Sequence, residues 1–118
     1  IAGTPIDVYN NGKMKRDFTY IDDIILGLRS AIDKNYDFEI FNLGNNKSEN
    51  LMDMIKLIEK ELGKNAKINF EPIQPGDVRE SFADIKYSQE KLNFKPSVNI
   101  EEGIPLFINW YKNFYGKN

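Results

Sequence analysis

Arg16 stands in "NNGKMKRDFTYIDDI" (residues 10–24), in a chain that has three arginines. A guanidinium presents a rigid fork of N–H donors that fits a phosphate or a carboxylate through two parallel hydrogen bonds. Arg16 falls between an extended segment and the first turn of a helix, where loops gather round ligands in α/β proteins. One chemistry open to it is therefore a phosphate clamp. The spacing also fits an ion pair with Asp17, Asp22 or Asp23, and on spacing alone the ion pair is favoured. A second constellation is "QPGDVRESFAD" (74–84). Gly76 allows close backbone approach, and Asp77 can accept two ribose hydroxyls. The same letters also spell a plain turn before a helix with a capping aspartate, and spacing again favours that reading.

Other patterns carry less chemistry. "YSQEK" (87–91) has the Tyr-x-x-x-Lys spacing in which a lysine one helical turn on lowers a phenol's pKa. Two letters recur often by chance, and no Gly-rich dinucleotide loop accompanies them, so a surface helix is the favoured reading. Trp110, Tyr111, Phe114 and Tyr115 form an aromatic group at helical spacing, which favours packing over base stacking. The acidic pairs in "IDD" and "EE" fall in helix first turns and predict no metal site. With no cysteine and no histidine, thiolate chemistry, disulfides and imidazole acid–base catalysis are excluded. Zinc and copper sites are not expected. A net charge of −2 predicts no long-range attraction to nucleic acid or an acidic membrane.

The positioning elements follow from periodicity. The length of 118 residues suits one domain, and 41% hydrophobic content suits a folded core. "PIDVY" (5–9) alternates as a short strand, "NNG" is a turn, and 15–20 is extended. Ile21, Ile24, Ile25, Leu28 and Ile32 make one helical stripe, with Asp22 and Asp23 in its first turn. "FEIFNLGN" (38–45) predicts a buried strand. Ser48 or Asn50 then caps a helix carrying Leu51, Met54, Ile55, Ile58 and Leu62, stopped by Gly63. "AKINFEPI" (66–73) predicts a third strand, and 84–94 a short helix capped by Asp84. Asn99 and Glu102 fit a capping box for a last helix with Ile100, Ile104, Phe107, Ile108, Tyr111 and Phe114 inward. The expected class is α/β, mixed as an isolated piece, with about three strands and four helices. A sheet this small leaves one apolar face without a cover.

"GTPIDVYNNGKMKRDFTYIDDIILGL", "FNLGN", "QPGDVRESFAD" and "LNFKPSVNIEEGIPLFINWYKNFY" together resemble the C-terminal portion of nucleotide-sugar epimerases of the extended short-chain dehydrogenase/reductase family. The resemblance runs the length of the chain, in order. Its "YNNGKMKRDFTYIDDI" and "QPGDV" blocks look most like the UDP-glucuronate 4-epimerase branch. The resemblance implies roles by position. Tyr9 matches a residue whose main chain meets uracil, Arg16 the arginine on the diphosphate, and Asp77 the acid on the uridine ribose. Gln74 stands where galactose epimerases carry an arginine, which puts the second phosphate contact in doubt, with Arg79 as a substitute.

The same resemblance implies NAD in an intact parent protein, none bound by residues 1–118, and no metal. The catalytic tyrosine, its Ser/Thr partner and the Gly-rich NAD loop of the family lie upstream of such a segment. "YSQEK" does not match that tyrosine. The opening "IAGTPIDVYN" lacks an initiator Met, so the chain is expected to be one C-terminal nucleotide-sugar-binding domain without its Rossmann domain, inactive alone. A UDP-sugar is the expected ligand, a homodimer the expected parent assembly, self-association through an exposed sheet edge the expected behaviour of the piece, and the cytoplasm the default compartment. No run of about 18 apolar residues predicts a membrane span. Two alternatives stay open: another nucleotide-sugar epimerase, dehydratase or decarboxylase, or a free-standing binding module without catalysis.

Overall fold

The computed structural model describes residues 1–116. Strand β1, Ile6–Val8, lies parallel to β4, Ile68–Phe70, in the register Ile6↔Ile68, Asp7↔Asn69, Val8↔Phe70. The alternation of the β1 sequence sends Val8 into the core while Asp7 meets Asn69 through a hydrogen bond of 3.1 Å. The chain then turns through a short 3-10 segment, Tyr9–Gly12. Asn10 and Asn11 take left-handed φ values of 52° and 50°, and the Asn10 amide donates to the Lys13 carbonyl at 2.7 Å. Asparagine tolerates this region because its side chain bonds its own backbone. Gly12 also takes a left-handed φ of 77°, and a Cβ there would sit 2.7 Å from the Met52 sulfur.

Strand β2 is only Lys15–Arg16, shorter than the extended 15–20 segment expected, and pairs antiparallel with β3, Glu49–Asn50. The strands therefore form two separate two-stranded ladders in place of one sheet of about three strands. Helix α1 spans Ile21–Lys34 and ends at Asn35 in the left-handed conformation. Its predicted stripe is the main surprise. Ile21, Ile25, Leu28 and Ile32 are exposed, whereas Asp23 and Gly27 are buried and Ala31 packs inward. The periodicity identified the helix correctly, and the face that this chain covers is the small-residue one.

The predicted strand at 38–45 forms no ladder among the described residues. Phe38 is 84% exposed and Ile40 77% exposed, so the expected burial is also corrected. Ladder formation needs a partner edge, and this chain offers none there. The opposite face does have a cover: Phe41 and Leu43 pack with Ala31 and Ala83 on the buried trio Ile85, Leu92 and Phe94.

Helix α2, Leu51–Leu62, is stopped by Gly63 at φ 63° and packs its apolar face on α4, Ile100–Tyr115. Neither predicted cap works as a cap on α2. The Asn50 amide donates to Asp53 at 3.1 Å, and the Ser48 hydroxyl is buried without a protein partner in the described residues. Helix α3 begins at Lys86, two residues later than expected, and ends at Leu92. Asp84 still accepts from the Lys86 N–H at 3.0 Å. The α4 cap stands as expected, with Asn99 Oδ1 accepting from the Glu102 N–H at 3.0 Å. On α4, Ile100 and Ile108 are buried, Ile104 and Tyr111 half-buried, and Phe107, Trp110 and Phe114 face outward in a run of ring contacts. The molecule measures 47 × 37 × 20 Å, a thin slab covered well on one side.

Candidate functional site

The site is assembled from two segments that run side by side. After the β1–β4 ladder, the Asn11 N–H donates to the Glu71 carbonyl at 3.0 Å. Further along, Lys15 bridges Glu80 in parallel, with Lys15 N–H to the Arg79 carbonyl at 2.9 Å and Ser81 N–H to the Lys15 carbonyl at 3.3 Å. Tyr9 and Arg16 thus lie on one segment, and Gln74, Asp77 and Arg79 on its neighbour. The 74–77 turn closes with the Asp77 N–H on the Gln74 carbonyl at 3.1 Å.

Two of these side chains meet directly. Arg16 Nη2 donates to Asp77 Oδ1 at 2.7 Å, across a sequence separation of 61 residues. Arg16 Nη1 donates to the Lys15 carbonyl at 2.8 Å, and Asp77 Oδ1 also accepts from the Val78 N–H at 2.8 Å. The pair is half-buried, with side chains 28% and 29% exposed. The expectation of a local carboxylate partner for Arg16 named Asp17, Asp22 or Asp23, and the structure gives Asp77 in their place. Tyr9 opens the turn after β1 and is half-buried, and Gln74 is exposed. Arg79 is exposed and lines a cleft of about 400 Å³ with Lys13, Lys15, Met52 and Glu80.

Asp17 and Asp23, by contrast, are structural. Asp17 accepts from the N–H groups of Asn45, Asn46 and Ala83 at 2.7, 3.0 and 3.0 Å, and from Thr19 Oγ1 at 3.1 Å. Asp23 is 2% exposed and accepts from the Ser97 and Val98 N–H groups at 3.1 and 3.0 Å and from Ser97 Oγ at 3.2 Å. Each carboxylate satisfies loop amides that would otherwise be buried unpaired. Neither was legible in the sequence, because the donors are backbone groups far along the chain and backbone N–H groups leave no sequence signal.

The Tyr87–Lys91 pair has the wrong electrostatics for proton abstraction. The Tyr87 phenol is held above its ordinary range, first by the neighbouring Glu39 carboxylate and then by desolvation. Lys91 sits 5.8 Å from the ring centroid, where a cation meets an aromatic face. Among the described residues no group of three acidic side chains is placed to hold a metal, and no helix is long and apolar enough to cross a membrane.

A family profile described as GDP-mannose 4,6 dehydratase matches residues 2–106. The chain belongs to this family. An uncharacterized protein of Methanocaldococcus jannaschii is 52% identical over 111 residues, covering 94% of this chain and 34% of that protein. A UDP-glucuronate 4-epimerase of Thermodesulfobacterium geofontis is 38% identical over 109 residues, covering 92% of this chain and 33% of that one. The crystal structure of UDP-glucuronic acid 4-epimerase from Bacillus cereus, in complex with UDP-glucuronic acid and NAD, aligns with a TM-score of 0.83 at 31% identity. It covers 96% of this chain and 37% of that one. The chain thus spans about a third of the length of the relatives it matches. The resemblance to extended short-chain dehydrogenase/reductase epimerases, and the α/β class it implied, are borne out.

Proposed function

We propose that this chain is the nucleotide-holding part of a UDP-glucuronate 4-epimerase, corresponding to the C-terminal portion of that enzyme. One observation carries the reading: the residues to which the family resemblance assigns roles, from positions 9 to 79, lie on two adjoining parallel segments, and Arg16 and Asp77 touch at 2.7 Å. The 38% identity to a UDP-glucuronate 4-epimerase supports the subtype. In this reading the main chain at Tyr9 meets uracil, Arg16 holds the diphosphate and Asp77 the ribose. Gln74 borders the same turn, and Arg79, in the neighbouring cleft, reaches the second phosphate. A guanidinium half withdrawn from water holds a phosphate more strongly than an exposed lysine does, because its charge is less screened and its fork is fixed.

NAD does not fit this chain by itself. A dinucleotide site needs a glycine-rich turn between a strand and a helix N-terminus. Here β1 is followed by a 3-10 turn with two left-handed asparagines, and the space above Gly12 is filled by Met52. In the family reaction the oxidation and re-reduction at sugar C4 belong to NAD held by the rest of a longer protein, and this chain supplies binding and orientation. The chain alone is accordingly inactive.

The test is a calorimetric titration of UDP into the purified chain, beside an assay of UDP-glucuronate with NAD. The expected result is UDP binding that Arg16→Ala weakens about tenfold or more, as for loss of a charge-assisted contact, and no turnover. UDP binding indifferent to Arg16→Ala, or turnover by the chain alone, overturns the reading. Product analysis on a longer protein containing this chain fixes the subtype: UDP-galacturonate supports it, and a xylose product identifies a decarboxylase.

A further inference from the structure

We infer that Asp77 is a positioning residue for Arg16, so that the hold on the ribose and the hold on the diphosphate are coupled through one carboxylate. The inference rests on the nucleotide-site reading above and adds a division of labour within it. Asp77 Oδ1 is already filled, accepting from Arg16 Nη2 at 2.7 Å and from the Val78 N–H at 2.8 Å. Its Oδ2 accepts no hydrogen bond among the described residues, so one oxygen remains for a ribose hydroxyl where two were expected. A carboxylate oxygen that holds two donors has spent its lone pairs.

Arg16 is fixed at both nitrogen tips. Nη1 is held by the Lys15 carbonyl and Nη2 by Asp77. The Lys15 carbonyl is itself set by the parallel bridge to the 79–81 segment, because it also accepts from the Ser81 N–H. The guanidinium plane is therefore oriented before any ligand arrives, and its remaining N–H groups are left for an anion. Val78 N–H does the corresponding job for Asp77, fixing the carboxylate by a bond to the very next residue. An arginine on a flexible stem loses rotamer freedom on binding a phosphate, and one already held loses less. Asp77 also partly neutralises Arg16, which favours a ligand that offers hydroxyl donors to Oδ2 together with the anion. A ribonucleoside diphosphate has both groups, and inorganic pyrophosphate has only the second.

The experiment titrates uridine, UDP and pyrophosphate into the wild-type chain, Arg16→Ala, Asp77→Ala, Asp77→Asn and the double Ala variant, with Kd values from calorimetry or ligand-observed NMR. Asp77→Ala is expected to weaken UDP about tenfold more than uridine, since a charged positioning contact is lost on top of any ribose contact. The double variant is expected to be no worse for UDP, relative to uridine, than Arg16→Ala alone, which is the non-additivity of two groups acting as one. The Arg16 Nε–Hε resonance is expected to shift in Asp77→Ala, with Asp77→Asn between it and wild type. Equal losses for uridine and UDP in Asp77→Ala, multiplying with Arg16→Ala in the double variant, overturn the positioning role and leave the nucleotide site standing. A wild-type chain that binds no UDP overturns both. Asp77→Asn keeps the shape of the turn and carries the test if Asp77→Ala fails to fold.

Discussion

Residues 6–16 and residues 36–43 both carry strand-like sequence, and the chain treats them differently. The first finds its partner inside the chain: β1 pairs with β4, β2 pairs with β3, and the Lys15–Glu80 bridge extends the contact to the Arg16–Asp77 pair. The second has one face on the core through Phe41 and Leu43 and presents Phe38 and Ile40 to solvent. No backbone–backbone hydrogen bond among the described residues involves positions 36–44. Strand-like sequence is therefore a statement about what an edge can accept, and a ladder exists only where a second edge is supplied. The exposed stripe of α1, Ile21, Ile25, Leu28 and Ile32, shows the same one-sidedness.

The comparison can be broken most severely at the polar ties that hold the open segment to the closed one. Asp17→Ala removes acceptors from the Asn45, Asn46 and Ala83 amides and from Thr19 at once. Urea denaturation is expected to show a loss of about 3 kcal/mol or more, from several part-buried groups left unpaired. A loss below about 1 kcal/mol would mean that water replaces the carboxylate at little cost. Gly44→Ala comes next, because its Cβ would lie 2.6 Å from the Ala83 Cβ and 2.9 Å from an Asp17 carboxylate oxygen. Crowding of this kind costs about 1–3 kcal/mol, read as a lower thermal midpoint.

The open segment itself should respond in the opposite way. Phe38→Glu with Ile40→Lys changes side chains that touch little, so stability should stay within about 0.5 kcal/mol. Association should change: the wild-type chain is expected to gain mass with concentration in sedimentation, through pairing at the bare edge, and the double variant to remain a monomer. A monomeric wild type at high concentration refutes that pairing. The smallest effect concerns Tyr87, whose phenol the Glu39 carboxylate holds above its ordinary value of 10.0. A raised folded-state value means the tie contributes stability below that ordinary value and loses it as pH rises through the raised one. Ultraviolet titration should show ionisation moving down in Glu39→Gln, and an unmoved titration would mean that Glu39 does not act on the phenol.

Much of the closed side was legible in sequence. The Gly63 stop, the Asn99 cap and the α2 stripe rest on local backbone geometry, which neighbouring residues decide, whereas Phe107 and Phe114, expected inward on α4, are exposed. The α1 stripe was identified as a helix and assigned to the wrong surroundings, since periodicity marks which residues share a face and says nothing of whether that face is covered. Asp23 went unread for the opposite reason. An aspartate in a helix first turn has an adequate local explanation, and its actual partners, the Ser97 and Val98 amides, carry no side-chain signature.

The candidate site divides along the same line. The sequence alone determined which residue types were present for nucleotide chemistry, because a guanidinium fork, a turn glycine and a carboxylate are properties of the letters and their near neighbours. It also determined that these 118 residues themselves supply no thiol and no imidazole. Only the tertiary structure decided that Arg16 faces Asp77 and none of the three aspartates closest to it in sequence. Hydrogen bonds form at about 3 Å in space, and it is the parallel run of two segments some 60 residues apart that brings those atoms within reach.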